Sequence, residues 1–312
     1  MLKYLVVLLD DTSVSFCHYS NKKTERKLIS LEDLKAGIVF AMKENLMIQF
    51  VYPSYELNQD YRDIIYSIDH SKIVPIGYNE QGDVIIANNI EELISCSIDE
   101  NSTYVLCTNK QELIDNLDSL KNILSKVVRL NLVFTDVEDF TSTDFEKYKS
   151  FLQAMIQETE QLFVSGKSPQ LNILTDRLML DCMNNCNAGW ENITLAPNGK
   201  FYVCPAFYCS DEDCCIGNLR EGLNIKNPQL YKLSYAPLCR NCDAYQCKRC
   251  IWLNSKMTCE VNTPSHEQCV IAHLERNASR QLLSNIRQHG TFLPDKEIKE
   301  INYLDPFDVY KI

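Results

Sequence analysis

The stretch Cys239-Arg-Asn-Cys242-Asp-Ala-Tyr-Gln-Cys247-Lys-Arg-Cys250 decides what kind of fold this chain can adopt. Each Cys-x-x-Cys pair places two thiols at one tight turn, close enough to bind one metal centre. With the cysteines that flank them, two such pairs supply more sulfur than one zinc ion needs. The pattern therefore predicts a metal-binding segment in this part of the chain.

Composition sets the cellular context of these thiols. Twelve of the 15 cysteines lie between Cys182 and Cys269 in a chain of 312 residues, which is long enough for two domains. The formal charge of −11, without a basic stripe, argues against nucleic acid or a membrane as the partner. The apolar N-terminal run is too short for a secretory signal. We therefore expect a cytoplasmic protein, where thiols stay reduced and clustered cysteines serve as metal ligands.

The first part of the sequence alternates β-like runs with amphipathic helical segments. Ser30, Asn109 and Thr143 each precede an acidic residue three positions later and so predict helix starts. This alternation predicts an α/β fold with a mainly parallel sheet, open or partly closed into a barrel. The fourth strand follows the third so closely that we predict a hairpin across residues 78–83. The predicted strands are 4–9, 47–51, 73–76, 84–87, 104–107, 127–134 and 171–174.

The character of the sequence changes near Asp181. From there to about residue 273 helical periodicity is weak and cysteines replace a large apolar core, which is typical of segments that fold around a metal. A helix is predicted over residues 279–287, followed by an irregular tail. The resulting division has a βα domain at 1–178, a cysteine-rich domain at 179–275 and a C-terminal helix and tail at 276–312.

From Cys186 onward the residues resemble the SPASM domain, the cluster-binding extension of many radical SAM enzymes that mature peptides. The resemblance rests on the cysteine quartet, on Cys269, and on the Gly-x4-Cys step from Gly199 to Cys204. Asn198-Gly199 predicts a tight hairpin turn, and the strand after it would deliver Cys204 to a cluster. The quartet spacing is slightly shorter than the family's usual pattern.

The βα part has the element order of a radical SAM partial barrel but lacks that family's SAM machinery. The loop after the first strand, residues 12–20, contains only Cys17 where the family has three cysteines in CxxxCxxC. The glycine-rich turn expected after the second strand is also missing at residues 50–54. The whole chain is similar to the CXXX-repeat peptide maturase family. The resemblance implies a degenerate radical-SAM-like partial (β/α) barrel followed by a small SPASM-like domain, and the missing motifs argue against SAM binding.

The resemblance also implies two ligand sets for 4Fe–4S clusters. The first set is Cys186, Cys204 and Cys250, with Cys182 as the candidate fourth ligand. The second set is Cys239, Cys242, Cys247 and Cys269. Cys259 competes with Cys269 for the last position. The alternative is a zinc site of ribbon or treble-clef type at the quartet, which needs only four thiolates.

Other reactive side chains are predicted to have structural roles. Asp10 and Asp11 follow the first strand, where barrel enzymes keep catalytic groups, but a helix-capping or solvated loop role is favoured. Single histidines in such segments are more often structural than metal-binding. The neighbouring acids argue against reactive thiols in the loop 209–215. The candidates in these groups are Asp10, Asp11, Cys17, His18, Cys209, Cys214, Cys215, His266 and His273.

The resemblance implies an iron–sulfur protein that takes part in maturing a ribosomally made, cysteine-rich precursor peptide. It would bind the peptide and relay electrons for a separate, true radical SAM enzyme. Two alternatives stay open. One is a radical-SAM-type peptide-modifying oxidoreductase with unorthodox SAM or substrate binding, and the other is a structural zinc-binding scaffold. Whether the chain is itself an enzyme is not decided by its sequence.

Overall fold

The computed structural model describes residues 2–308, which form two compact units that interleave along the chain. Unit 1 combines the residues up to Ile86 with Cys186–Ala236, and unit 2 combines Ala87–Asn185 with the residues from Pro237 onward. Each unit therefore takes part of its chain from the βα half and part from the cysteine-rich half. The three-part division of the sequence stays a prediction, and its last residues, 309–312, lie outside the described part.

Both units contain short strands. They are β1 (Tyr4–Leu8), β2 (Met47–Val51), β3 (Ser71–Pro75), β4 (Val84–Ala87), β5 (Thr103–Thr108), β6 (Arg129–Phe134), β7 (Gln170–Leu171), β8 (Asn192–Leu195), β9 (Phe201–Tyr202), β10 (Gly217–Asn218) and β11 (Gly222–Leu223). All seven predicted strands have a counterpart among them. The counterpart of 171–174 is the shortest, because the chain turns into a helix soon after Leu171.

Helices separate most of these strands. They are α1 (Leu31–Glu44), α2 (Gln59–Ile65), α3 (Ile90–Ser95), α4 (Lys110–Asp115), α5 (Leu117–Leu124), α6 (Ser142–Val164), α7 (Asp176–Met179), α8 (Pro205–Ser210), α9 (Ile251–Thr258) and α10 (His266–Ile286). Ser30 and Asn109 cap α1 and α4 as predicted. Helix α6 is capped by Thr141 and Asp144 in a capping box, two residues before the predicted pair.

The sheet of unit 1 has the strand order β4-β3-β2-β1-β8-β9, and only β8 and β9 pair in antiparallel fashion. Strands β3 and β4 are parallel, with Ile73 opposite Val84, so the predicted hairpin is wrong. Gly77, at φ +76°, lies in the connection between them. The Asp83 carboxylate accepts a 2.7 Å bond from the Lys72 amide and fixes the start of β4.

The β8–β9 hairpin forms at the predicted turn. Gly199 has φ +72°, a conformation that glycine adopts without the steric cost of a Cβ atom. Its amide donates to the Ala196 carbonyl at 3.0 Å, and the Asn198 side chain accepts from the Lys200 amide at 3.1 Å. Cys204 follows β9 by two residues and caps α8. The position of the turn therefore sets the position of Cys204 at the start of α8.

In unit 2, strands β5, β6 and β7 are parallel, and the long helices α6 and α10 pack together. Helix α10 begins at His266, so the expectation of little helical structure before residue 273 is wrong. Every residue from Gln268 to Arg276 is buried. A helix that is buried on all sides has no polar face, and its sequence lacks the amphipathic period on which the prediction depended.

In the described part of the chain, no helix is both long and apolar enough to cross a lipid bilayer.

Gly199→Ala tests the hairpin turn. A Cβ atom at this position would lie 3.2 Å from the Asp33 carboxylate, in addition to the strain of a positive φ. We expect the free energy of unfolding to fall by more than the about 1–2 kcal/mol that a left-handed alanine costs by itself. Urea unfolding measures the loss. Gly77→Ala is the matched control, because its φ is +76° and its Cβ would meet nothing within 4 Å. Equal losses in both variants would contradict the contact with Asp33.

Candidate metal centre

Four cysteines of unit 2 line one cavity, and they are the four that the resemblance assigns to the second cluster. Cys239 and Cys242 lie at the two ends of a short 3-10 turn, and Cys247 precedes α9. Cys269 lies in the first turns of α10. Cys259, the competing ligand, is exposed at the C-terminal end of α9. The structure therefore brings together the predicted set whose fourth member is Cys269, and not the one that ends at Cys259.

Burial makes these thiols hold their protons tightly. The cavity wall is largely apolar, with Leu238, Ala244 and Pro264 among its residues. Burial, reinforced by Cys242, raises the pKa of Cys239 to about 11 although Arg249 opposes the rise. Burial and the neighbouring thiols also raise the pKa of Cys247 and Cys269. A cation that binds here must therefore displace protons, so its affinity will increase with pH.

Two backbone amides already point at the sulfurs. The Ala244 amide donates to Cys242 Sγ at 3.5 Å, and the Arg249 amide donates to Cys247 Sγ at 3.4 Å. In both cases the donor lies two residues after the cysteine, so the same local turn occurs twice. Hydrogen bonds to sulfur favour the thiolate and tune the potential of an iron–sulfur cluster.

One of the two candidate histidines reaches the cavity. His273 is buried on α10, and its Nε2 atom lies 3.4 Å from Cys242 Sγ. Burial lowers the pKa of His273, which favours the neutral imidazole. His266 instead pairs with Asp305 at 2.7 Å, in agreement with a structural role.

An ion-pair network holds the cysteine loop against α10. Asp243, next to Cys242, accepts two 2.7 Å bonds from the Nε and Nη2 atoms of Arg276. Arg177 on α7 donates to the same carboxylate at 3.2 Å. The Arg276 side chain is completely buried, and a two-pronged arginine–carboxylate pair fixes distance and orientation together. The network keeps the loop that carries Cys242 beside the helix that carries Cys269.

A buried carboxylic acid lies on the same helix. Glu275 accepts a 2.8 Å bond from the Tyr148 hydroxyl and is also approached by the Gln246 amide at 3.4 Å. Burial raises its pKa from 4.5 to about 7, and the two hydrogen bonds offset only part of that rise. Glu275 also raises the pKa of the Cys247 thiol. Its protonation is therefore coupled to the charge on the thiols.

These features fit a group that takes thiolate ligands. Four thiols share one cavity, two amides donate to their sulfurs, and arginines lie close by. Within residues 2–308, no group of three or more His, Cys, Asp or Glu side chains is placed to hold a single metal ion. The second ligand set is therefore a group of four thiols around one cavity.

The first predicted ligand set is divided between the two units. Cys186 and Cys204 belong to unit 1, whereas Cys182 and Cys250 belong to unit 2. Cys182 and Cys186 are exposed, and Cys204 and Cys250 are half-buried. Cys250 is the N-cap of α9, where the helix dipole favours negative charge. This set stays a prediction.

In unit 1 the loop after β1 is filled by its own polar side chains. Asp10 is completely buried and accepts from the Thr12 amide at 2.8 Å. Asp11 accepts a hydrogen bond from the Tyr208 hydroxyl, and Lys23 lies 3.9 Å from the same carboxyl group. Burial and Asp11 raise the pKa of Tyr208 above its usual range. The expectation of a solvated or capping role is therefore wrong for both acids.

The other cysteines have less reactive surroundings. Burial raises the pKa of Cys209 to about 12, and burial and Asp211 raise that of Cys214. Cys214 and Cys215 are exposed. Cys107 is buried in β5, as expected of a core residue, and Cys96 is half-buried at the end of α3. The half-buried Cys17 lies in the loop after β1.

No family model matches the chain, and no curated protein matches it significantly. The chain does match solved structures. Hexahistidine-tagged anSMEcpe with bound AdoMet has a TM-score of 0.64 at 10% identity, and the match covers 92% of this chain and 100% of that one. Native anSMEcpe with bound AdoMet and Cp18Cys peptide has a TM-score of 0.63 at 11% identity, with the same two coverages. The protein anSME is a radical SAM/SPASM anaerobic sulfatase-maturating enzyme.

This chain has the radical SAM/SPASM fold. The match confirms the fold expected from the sequence, a radical-SAM-like partial barrel with a cysteine-rich region. Streptococcus suis SuiB bound to precursor peptide SuiA is also similar, at 9% identity over 74% of this chain and 64% of that one, but its TM-score is 0.42 and it adds nothing to the fold assignment. The shared fold accounts for the order of strands and helices in the βα part.

The structure also contains residues that sequence analysis overlooked. Arg249 lines the thiol cavity, and Glu275 lies buried one turn along α10 from Ile271. A signal for Arg249 was present, since Lys248 and Arg249 are the only residues between Cys247 and Cys250. No local pattern distinguishes Glu275 from a solvent-exposed helical glutamate, because its burial depends on Tyr148 from α6.

Cys269→Ser and Cys259→Ser test the choice of ligand. On the two-cluster assignment that the resemblance implies, we expect Cys269→Ser to lose about half of the iron and Cys259→Ser to keep all of it, because Cys269 lines the cavity and Cys259 is exposed. Iron and sulfide analysis of anaerobically purified protein provides the measurement. Equal iron content in the two variants would remove Cys269 from the ligand set.

Glu275→Gln tests the buried carboxyl group. The folded state binds its proton more tightly than the unfolded state, so the stability from this group is present below about pH 4.5 and is lost as the pH rises through about 7. Glutamine resembles the protonated acid. We expect the variant to gain up to about 3 kcal/mol over wild type at pH 8 and little at pH 4.5.

Unfolding of the two proteins at both pH values measures the difference. Glu146→Gln, at an exposed position of α6, is the control and should behave alike at the two pH values. A gain from Glu275→Gln that does not depend on pH would show that the carboxyl group is not protonated in the folded protein.

Proposed function

We propose that this chain is an iron–sulfur protein that takes part in the maturation of a ribosomally made, cysteine-rich peptide. It binds the precursor peptide and relays electrons for a separate radical SAM enzyme. The observation that carries the proposal is the convergence of Cys239, Cys242, Cys247 and Cys269 on one cavity. A 4Fe–4S cluster held there would supply a one-electron store. Cys182, Cys186, Cys204 and Cys250 would hold a second cluster.

The loop after β1 supports an accessory role. Radical SAM chemistry needs a cluster with an open iron at this loop, and Cys17 is its only cysteine. The side chains of Asn21 and Ser13 tie the loop together, with bonds of 2.7 Å to the Asp11 carbonyl and 2.9 Å to the Val51 carbonyl. Tyr52, after β2, is buried where the family has its glycine-rich turn. The loop after β1 thus carries hydrogen-bonded polar side chains and one cysteine in place of the family's three, so we propose that the chain does not bind SAM there.

Peptide binding is supported by what is bound in a structure of the same fold. The solved structure of anSMEcpe with AdoMet also contains the Cp18Cys peptide. Strand addition is not the favoured mode of binding in this chain. The Asn172 side chain bonds the Leu132 amide at 2.8 Å and its carbonyl at 2.9 Å along β6. In unit 1 the Ile216 amide bonds the Phe201 carbonyl of β9 at 2.7 Å. We therefore propose that loops and side chains hold the peptide.

The reduced, iron-loaded protein should bind a co-encoded cysteine-rich peptide and the radical SAM enzyme, and should not cleave SAM by itself. Pull-down and chromatography of 5′-deoxyadenosine provide the two measurements, with a competent radical SAM enzyme as the positive control. Failure to bind either partner would overturn the accessory role. Cleavage of SAM by the chain alone would make it an enzyme in its own right. Zinc without iron or sulfide would make it a structural scaffold.

A further inference from the structure

Arg249 combines two unfavourable features in one residue. Its φ is +44°, in the left-handed region where a non-glycine residue costs about 1–2 kcal/mol. Its side chain is only 1% exposed, so a permanent positive charge is buried. Burial of a charge costs several kcal/mol unless other charges and hydrogen bonds compensate. Glycine would satisfy the turn without either cost, and a strained residue of this kind points to a specific role.

The guanidinium is held in place by two buried asparagines. Its Nε atom donates to the Asn185 side chain at 3.2 Å, and its Nη1 atom donates to the Asn262 side chain at 2.7 Å. Bonds to these neutral amide oxygens orient the guanidinium. Arg276 and Arg177, which also lie near Cys242, share the carboxylate of Asp243.

Arg249 also faces the thiols. It lines the same cavity as Cys239, Cys242, Cys247 and Cys269. Its own amide donates to Cys247 Sγ, and its charge acts on Cys239. Arginine stays protonated in any protein environment, so the cavity contains a fixed positive charge. A cluster bound by four thiolates is an anion, and reduction by one electron makes it more negative.

We propose that Arg249 is the counter-charge of the cluster held by Cys239, Cys242, Cys247 and Cys269, and that it raises the reduction potential of that cluster. The inference rests on the proposed iron–sulfur function and assigns a determinant of the potential within it. This assignment gives a reason both for the left-handed backbone of Arg249 and for the burial of its charge. The left-handed backbone brings the Arg249 amide to Cys247 Sγ, while the side chain returns to the cavity as a cation.

Three variants separate charge from packing. Arg249→Gly removes the charge and relieves the backbone strain, whereas Arg249→Lys keeps a charge. Asn262→Asp leaves the arginine in place but puts a carboxylate 2.7 Å from its Nη1 atom, which cancels the field with almost no change in volume. The anaerobic full-length protein is reduced stepwise with dithionite, and the reduced clusters are followed by electron paramagnetic resonance. Iron and sulfide are measured on each sample.

We expect Arg249→Gly and Asn262→Asp to lower the potential of one of the two clusters by at least 59 mV, a tenfold change for one electron, and to leave the other unchanged. Arg249→Lys should shift it less. Loss of one cluster from Arg249→Gly but not from Arg249→Lys would support the same role. If Arg249→Gly fails to fold, Asn262→Asp decides the question.

Unchanged potentials in both Arg249→Gly and Asn262→Asp would overturn the inference while leaving the iron–sulfur function intact. Equal loss of iron from the glycine and lysine variants would also overturn it, because a charge alone would then not suffice. Wild-type protein without iron would overturn the proposed function itself, and the inference with it.

Discussion

The bidentate ion pair between Asp243 and Arg276 is the interaction on which the thiol cavity depends. Three of the four cysteines lie in a loop with little regular structure, and the fourth lies on α10. The pair joins these two parts through a completely buried guanidinium, and Arg177 adds a third point of attachment. Removal of Asp243 would leave the buried Arg276 charge uncompensated, so the pair favours a single placement of the loop against α10. Cys242 and His273 lie directly beside it.

Buried polar side chains have different surroundings in the two units. In unit 1, Asp10 accepts hydrogen bonds from Thr12, and Asp11 accepts one from the Tyr208 hydroxyl, so both acids lie in a packed loop after β1. In unit 2, the thiols face one another across a shared space, with amides and arginines arranged around them. The two units therefore differ in what surrounds these buried polar side chains: hydrogen-bond partners in the β1 loop of unit 1, and a shared cavity for the thiols of unit 2.

Sequence reasoning predicted the βα order and the hairpin at Gly199 because each depends on local chemistry, either hydrophobic period or turn residues. The ligand set of Cys239, Cys242, Cys247 and Cys269 came from the family resemblance and stays a prediction, although these four thiols line one cavity. It missed the start of α10 because the residues from Gln268 to Arg276 are buried on all sides and show no amphipathic period. It gave Asp11 a capping or solvated role because its partner, Tyr208, lies about 200 residues away. The parallel β3–β4 pair was mistaken for a hairpin because parallel connections are usually longer than this one.

The interleaving of the two units has a consequence for how the protein is made. The chain enters unit 2 at Ala87, returns to unit 1 at Cys186 and leaves it again at Pro237. A ribosome that has completed the first 185 residues has therefore supplied neither unit with its full set of strands and helices. Strand β1 can pair with β8, and α6 can pack against α10, only after those later elements have been synthesised. Part of the apolar surface that each unit buries therefore stays uncovered until the last segments of that unit have been synthesised.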